Sequence, residues 1–230
     1  SNLGIVLKKL DKLIEAESSQ LEAIKIKPNF AVAHHNLANV LKDLGKLQEA
    51  EKSQREAIRL QPNFPEAHNN LGNVLKDLGK LQEAEFSLLN AINLKPDFAE
   101  AYSNLGDLFS DQGKLEEAKL SLCKALKIRP NFIGAAWNQI GLSDNILEAE
   151  YNINQCLRID KNYLNAKLLL SAIKLHNGDK ELLNNFTKSK HKNHPFIRSI
   201  NWVSNLPEIP KLFFHRWGLF KDMINLSEKN

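Results

Sequence analysis

The sequence is poor in cysteine, methionine and large polar aromatics: two Cys, one Met, three Trp and three Tyr in 230 residues. Two cysteines, Cys123 and Cys156, can build neither a disulfide scaffold nor a four-ligand zinc site. No apolar run approaches the ~18–20 residues of a membrane span, and no charged, apolar and small leader opens the chain. A glycine-rich phosphate loop, G-x-S-x-G and H-E-x-x-H are all missing. His191, His194 and His215 could be offered as metal ligands, but surface or packing roles are the expectation. What is left is a soluble, cytoplasmic, non-catalytic chain that needs no metal or cofactor.

Core-forming residues are plentiful, at 43% hydrophobic against 25% charged, so wholesale disorder is excluded. The net charge of +4 hides an asymmetry. Residues 161–230 hold 12 Lys and Arg against 5 Asp and Glu, and residues 1–160 hold 19 against 22. The basic residues are scattered, and the longest cluster is Lys188, Lys190 and Lys192, interrupted by Ser189 and His191. That pattern reads as a solvated linker rather than a phosphate-tracking patch, so neither nucleic acid nor membrane is an expected partner.

The organising feature is a repeat. Pro28, Pro62, Pro96 and Pro130 stand 34 residues apart, and Phe30, Phe64, Phe98 and Phe132 follow each by two. The segment 39–51 recurs unchanged at 73–85, and 31–64 matches 65–98 at 23 of 34 positions. Self-similarity at this period means stacked units rather than one compact globule. Each unit reads as two helices. Asn63 with Glu66, and Asp97 with Glu100, have capping-box spacing. Leu71, Val74, Leu75 and Leu78 recur at helical spacing, and Gly79 ends the helix where a left-handed residue is useful. Leu81, Ala84, Leu88, Ala91 and Ile92 mark a second helix that Pro96 closes. Small residues at Ala50, Ala84 and Ala118, and at Ala57, Ala91 and Ala125, allow close helix approach. Cys123 and Cys156 fall on second helices and read as buried packing residues.

This pattern resembles the tetratricopeptide repeat. Leu37, Ala50, Ala57 and Pro62 fill the family's consensus slots, as do Leu71-Gly72, Ala84, Ala91 and Pro96, and Leu105-Gly106, Ala118, Ala125 and Pro130. The slot that usually carries Trp holds His34, His68 and Tyr102. The large aromatic of the second helix is replaced by Gln20, Gln54, Leu88 and Leu122, which implies lighter packing in the N-terminal repeats. The resemblance implies an all-α, right-handed superhelical solenoid whose first helices line a concave groove that binds protein.

The expected organisation is a repeat array over 1–190: a partial unit 1–30, full units 31–64, 65–98 and 99–132, a shortened unit 133–163 and a degenerate unit 164–190. The shortened unit is read from Ala149, Cys156 and Tyr163, which follow Ala118, Ala125 and Phe132 by 31 residues. A linker and an aromatic capping helix are expected over 191–230. The start inside a repeat suggests a cut array whose exposed end invites end-to-end self-association.

Carried over by register, the groove residues are His35, Asn36, Asn39 and Lys42, then Asn69, Asn70, Asn73 and Lys76, then Asn104 and Asp107, then Asn138. Asn2, Asn36, Asn70, Asn104 and Asn138 recur every 34 residues. An Asn amide offers two donors and an acceptor, so such a column can hold the backbone of an extended ligand without selecting its side chains. It is similar to the asparagine ladder in the repeat domain of O-linked N-acetylglucosamine transferase. The chaperone-type carboxylate clamp is not expected. Its slots here are His35, Asn39, Asn70, Glu100 and Asn104, without the cations a terminal carboxylate needs. Two functions are therefore expected: a scaffold that holds an extended peptide segment of a partner protein, or the substrate-presenting arm of a larger glycosyl- or methyltransferase.

Overall fold

The computed structural model describes residues 2–144 and 146–176. The expected second helix of the degenerate repeat, at 181–190, and the expected linker and cap over 191–230 lie outside them. Ten helices and no strand occur among the described residues: α1 (Asn2–Ile26), α2 (Ala31–Asp43), α3 (Leu47–Leu60), α4 (Pro65–Asp77), α5 (Leu81–Leu94), α6 (Ala99–Asp111), α7 (Leu115–Ile128), α8 (Ile133–Ile140), α9 (Ile146–Ile159) and α10 (Leu164–His176). The chain forms two compact units, which divide between Pro130 and Asn131.

In the first unit α2–α3, α4–α5 and α6–α7 are three helical hairpins with one turn chemistry. Gly45, Gly79 and Gly113 sit at φ of 75°, 75° and 74°, and no other described residue has positive φ. The following amides reach back five residues, Lys46 to Leu41 and Lys80 to Leu75 at 2.8 Å and Lys114 to Phe109 at 2.9 Å. This is a Schellman closure, which only glycine enters without steric cost. Asp11 occupies the same slot in the first repeat. There the helix does not break, and α1 runs unbroken through 25 residues. The N-terminal partial repeat is thus one long helix rather than the end of one helix and a second.

Helix pairs close on alanine and glycine. Ala50, Ala57, Ala84, Ala91, Ala118 and Ala125 are all fully buried. Leu71, Leu75, Ala84, Leu88, Leu105 and Leu108 form one apolar cluster that spans two repeats. At its centre Leu88 lies against Gly72, where an added Cβ would meet Leu88 Cγ at 2.6 Å. Burying a leucine of this kind contributes about 2–3 kcal/mol. The equivalent slot one repeat earlier is filled by Gln54, also 0% exposed, which is the polar substitution the sequence shows.

The expected capping boxes do not form. The N-cap residues of α4 and α6 are Phe64 and Phe98, and neither helix has a side-chain cap. The helices begin one residue later than a capping role for Asn63 and Asp97 requires. Glu66 and Glu100 instead pair with Lys95 at 3.4 Å and with Arg129 at 2.6 Å. A second ladder links Lys46 to Glu17, Lys80 to Glu51 and Lys114 to Glu85, at 2.8, 2.8 and 3.1 Å. Every pair in both ladders spans 29 residues, but the pairs of Glu66 and Glu100 close the two ends of a single hairpin, whereas those of Lys46, Lys80 and Lys114 tie one repeat to the next. Half-exposed pairs contribute at most about 1 kcal/mol each, and the main effect of the second ladder is to fix the stacking register.

In the second unit α8 has eight residues, where α2, α4 and α6 have 13. Gly141 caps it at φ −67°. The three residues lost from the fifth repeat are therefore the net of a shortened first helix and a longer turn. Trp137 meets Tyr163 edge to face at 5.5 Å. Cys156 is buried and faces the Ile133 carbonyl at 3.9 Å, and burial pushes its thiol up to about 12. Cys123, by contrast, is exposed, contrary to the sequence expectation. It occupies the slot of Leu89, on the outward side of the second helix, where exposure is 41%.

Candidate functional site: the polar face of the first helices

The residues expected to bind a ligand come together along α2, α4 and α6. These first helices touch directly, α2 on α4 and α4 on α6. Successive polar positions therefore form a continuous surface within the first unit. Asn36 is exposed, Asn39, Asn70, Asn73, Asn104, Asp107 and His35 are half-buried, and Asn69 is only 6% exposed. Asn138 is half-buried on α8, in the second unit.

The amides bond one another across repeats. Asn70 Nδ2 donates to Asn39 Oδ1 at 2.8 Å, and Asn104 Nδ2 donates to Asn69 Oδ1 at 2.8 Å. Asn69 Nδ2 in turn donates to Asn70 Oδ1 at 3.1 Å. The sequence showed a column of independent amides, and the structure shows a connected set. The bonding changes from a 31-residue to a 35-residue span because the slot of His35 holds Asn69 in the next repeat. That side chain gives Asn104 an acceptor before Asn73 is reached.

His35 heads this set. Gln54 Nε2 lies 2.8 Å from its Nδ1 and donates also to the Ala67 carbonyl at 2.8 Å. Asn39 Nδ2 lies 3.3 Å from its Nε2. The ring packs on Phe64, centroid to centroid 4.9 Å. Burial holds its pKa below the ordinary histidine value, against the opposing pull of Glu66. Gln54 Oε1 is buried without a hydrogen-bond partner.

Lys42 and Lys76, expected to face a ligand, are committed to acids on the next first helix. Lys42 pairs with Asp77 at 3.3 Å. Lys76 pairs with Asp107, and with Asp111 at 3.5 Å. Burial works against the Lys76 ammonium, but its bonds to Asp107 and Asp111 outweigh it and raise the pKa. Neither cation is left over for a terminal carboxylate. The face is accordingly an amide surface edged by paired charges.

Two features outside this face were not legible as site candidates. A cleft of about 440 Å3 between α1, α2 and α3 is lined by Leu21, Ile24, His34, Leu37 and Leu41. Its equivalent one repeat on, about 340 Å3, is lined by Ile58, His68, Leu71 and Phe86. Phe86 and Leu120, 34 apart on the second helices, are 69% and 74% exposed. The sequence signal for them was an apolar residue at the outward slot that Lys52 occupies earlier.

The sequence matches models described as TPR repeat at 38–79 and 72–113, and as tetratricopeptide repeat at 1–30, 99–132 and 20–52. Together they span the chain from residue 1 to 132, and the protein belongs to the tetratricopeptide-repeat family. Protein–protein interaction is the role this class of scaffold supports. No protein of curated function matches the sequence.

Among solved structures, the chain is similar to pilF of Pseudomonas aeruginosa, with 20% identity, a TM-score of 0.70, 87% of this chain covered and 94% of that one. It is similar to YrrB, described as a TPR protein with an unusual peptide-binding site, with 17% identity, a TM-score of 0.57 and coverage of 81% and 100%. It is also similar to a thermophilic TPR protein of Thermus thermophilus, with 19% identity, a TM-score of 0.62 and coverage of 76% and 96%. At these identities the likeness is one of fold. Among the described residues no helix is long and apolar enough to cross a membrane.

Proposed function

We propose that the polar face of α2, α4 and α6 is a groove that holds an extended segment of a partner protein through its backbone. The observation that carries the reading is the run of amides, Asn36, Asn39, Asn70 and Asn104, on adjoining first helices. Each can offer a donor and an acceptor to successive peptide units. Pairing of Lys42 and Lys76 with neighbouring acids supports a ligand chosen for its extended backbone rather than for a terminal carboxylate. YrrB, of similar fold, is described as having a peptide-binding site. That supports a peptide as the ligand class without indicating where on this chain it would lie.

The test is selection of binding peptides from a displayed random library, followed by affinity measurement on the protein and on Asn36→Ala/Asn70→Ala/Asn104→Ala. The reading expects binders whose affinity falls at least tenfold in the triple variant while helicity is unchanged. Binders unaffected by the triple substitution would contradict it.

A further inference from the structure

The hydrogen bonds among the groove amides all run one way. Donation passes from Asn104 to Asn69, from Asn69 to Asn70, from Asn70 to Asn39, and from Asn39 toward His35 Nε2. The chain therefore ends on an imidazole whose other nitrogen also faces an amide N–H, that of Gln54. A neutral imidazole accepts at one nitrogen and donates at the other. It cannot accept from both amides, and the shorter contact, 2.8 Å against 3.3 Å, lies on the Gln54 side. The conflict can be resolved in two ways. With the proton on Nδ1, Gln54 turns over, its orphaned Oε1 accepts from the ring at the loss of the bond to the Ala67 carbonyl, and the amide chain keeps its direction. With the proton on Nε2, Asn39 must accept, and each amide beyond it must turn over in sequence.

We propose that His35, Asn39, Asn70, Asn69 and Asn104 form one polar relay, whose direction is set by the protons on His35. In the inward direction Asn104 spends an N–H on Asn69 and presents its oxygen to a ligand. In the outward direction Asn104 Oδ1 accepts from Asn69, and the Asn104 N–H groups face outward. A doubly protonated ring has no acceptor and permits only the outward direction. What the fourth repeat offers a peptide thus depends on a proton held on the first helix of the second repeat. The consequence for a ligand rests on the groove reading above, whereas the relay itself does not.

The groups facing the ring are Asn39 on α2, Gln54 on α3 and Glu66 on α4, with the Phe64 ring beside it. Glu66 is the acidic group among them, and it is itself paired with Lys95. Acid therefore acts on the relay through the imidazole. Burial holds the ring's pKa below its ordinary value, so the outward state is populated as the solution is acidified.

Side-chain amide and imidazole nitrogen NMR from about pH 8 down to about pH 4, until the His35 ring itself is seen to titrate, on the free full chain, tests this without any ligand. The expectation is that the Nδ2 resonances of Asn39, Asn69, Asn70 and Asn104 shift with the same midpoint as the His35 ring. In Asn69→Leu, Asn39 and Asn70 should still titrate while Asn104 falls silent. In His35→Phe, no amide of the set should move at that midpoint. An Asn104 resonance that stays fixed in the wild type, or one that still titrates in His35→Phe, would overturn the relay. Loss of peptide binding in Asn36→Ala/Asn70→Ala/Asn104→Ala bears on the groove alone, so the two claims fail separately.

Discussion

Asn104 on α6 donates a 2.8 Å hydrogen bond to Asn69 on α4, so two residues of adjacent repeats satisfy each other on the face expected to meet a ligand. Asn69 is only 6% exposed, and its oxygen has exchanged water for this partner. Asn69→Ala should destabilise the first unit by about 1–2 kcal/mol, the usual cost of stranding a buried polar partner. Urea unfolding followed by circular dichroism measures it. No loss at all would mean the bond is made equally well to water.

The close approach of Leu88 to Gly72 gives a second expectation. With a Cβ placed 2.6 Å from Leu88 Cγ, Gly72→Ala should cost about 1–3 kcal/mol through overpacking. Leu88→Ala should cost about 2–5 kcal/mol through the cavity it leaves. In a thermal melt the double variant should lose less than the sum of the two, because the truncated side chain makes room for the new methyl group. Strict additivity would show that the two positions do not bear on each other.

The two cysteines should separate cleanly by reactivity. Cys123 is exposed, whereas Cys156 is buried with its thiol pushed up to about 12. The thiolate is the reacting form. Mass spectrometry after iodoacetamide treatment at neutral pH should find one label on the native chain, at Cys123, and a second only in denaturant. Early labelling of Cys156 would show that the packing of α9 opens readily.

Acid stability follows from two groups whose shifts have the same consequence. Burial pushes the Glu51 carboxyl up, but bonds from Lys80 and Arg55 outweigh it and leave the pKa below the ordinary value of 4.5. Its stabilising contribution is complete above that value and is lost as the pH falls through the folded-state pKa. His35 is also depressed, here because the charged form is disfavoured, so the unfolded chain binds its proton first. Stability therefore begins to fall below about pH 6.5 and falls again below about pH 4.5. In Glu51→Gln the second decline should be shallower, while the first stays as in the wild type. Midpoints of urea unfolding at a series of pH values check both.

The fold was legible because the 34-residue period carries its own instructions. In the units 31–64, 65–98 and 99–132 proline closes each unit, glycine turns each hairpin, and alanine sets each close contact. What was not legible depended on neighbours distant in sequence. Asn63 and Glu66 have the spacing of a capping box, but Lys95, 29 residues on, offers Glu66 a partner that local spacing does not reveal. Asp11 stands where Gly45 stands one repeat on, and without glycine there the helix simply continues. Cys123 shares a helix with buried residues, and only the outward direction of its slot distinguishes it. The polar positions of the first helices follow from register, whereas their mutual bonding does not. It depends on small offsets, 31 residues for Asn70 with Asn39 and 35 for Asn104 with Asn69.

The most direct measurement is to map a selected peptide onto the protein by NMR, following the side-chain amides of Asn36, Asn70 and Asn104 during titration. The account predicts that these three shift together and saturate at the affinity measured independently, while residues around Phe86 and Leu120 stay still. If the perturbations gather instead around Phe86 and Leu120 and leave the three amides unmoved, the groove is not the binding site.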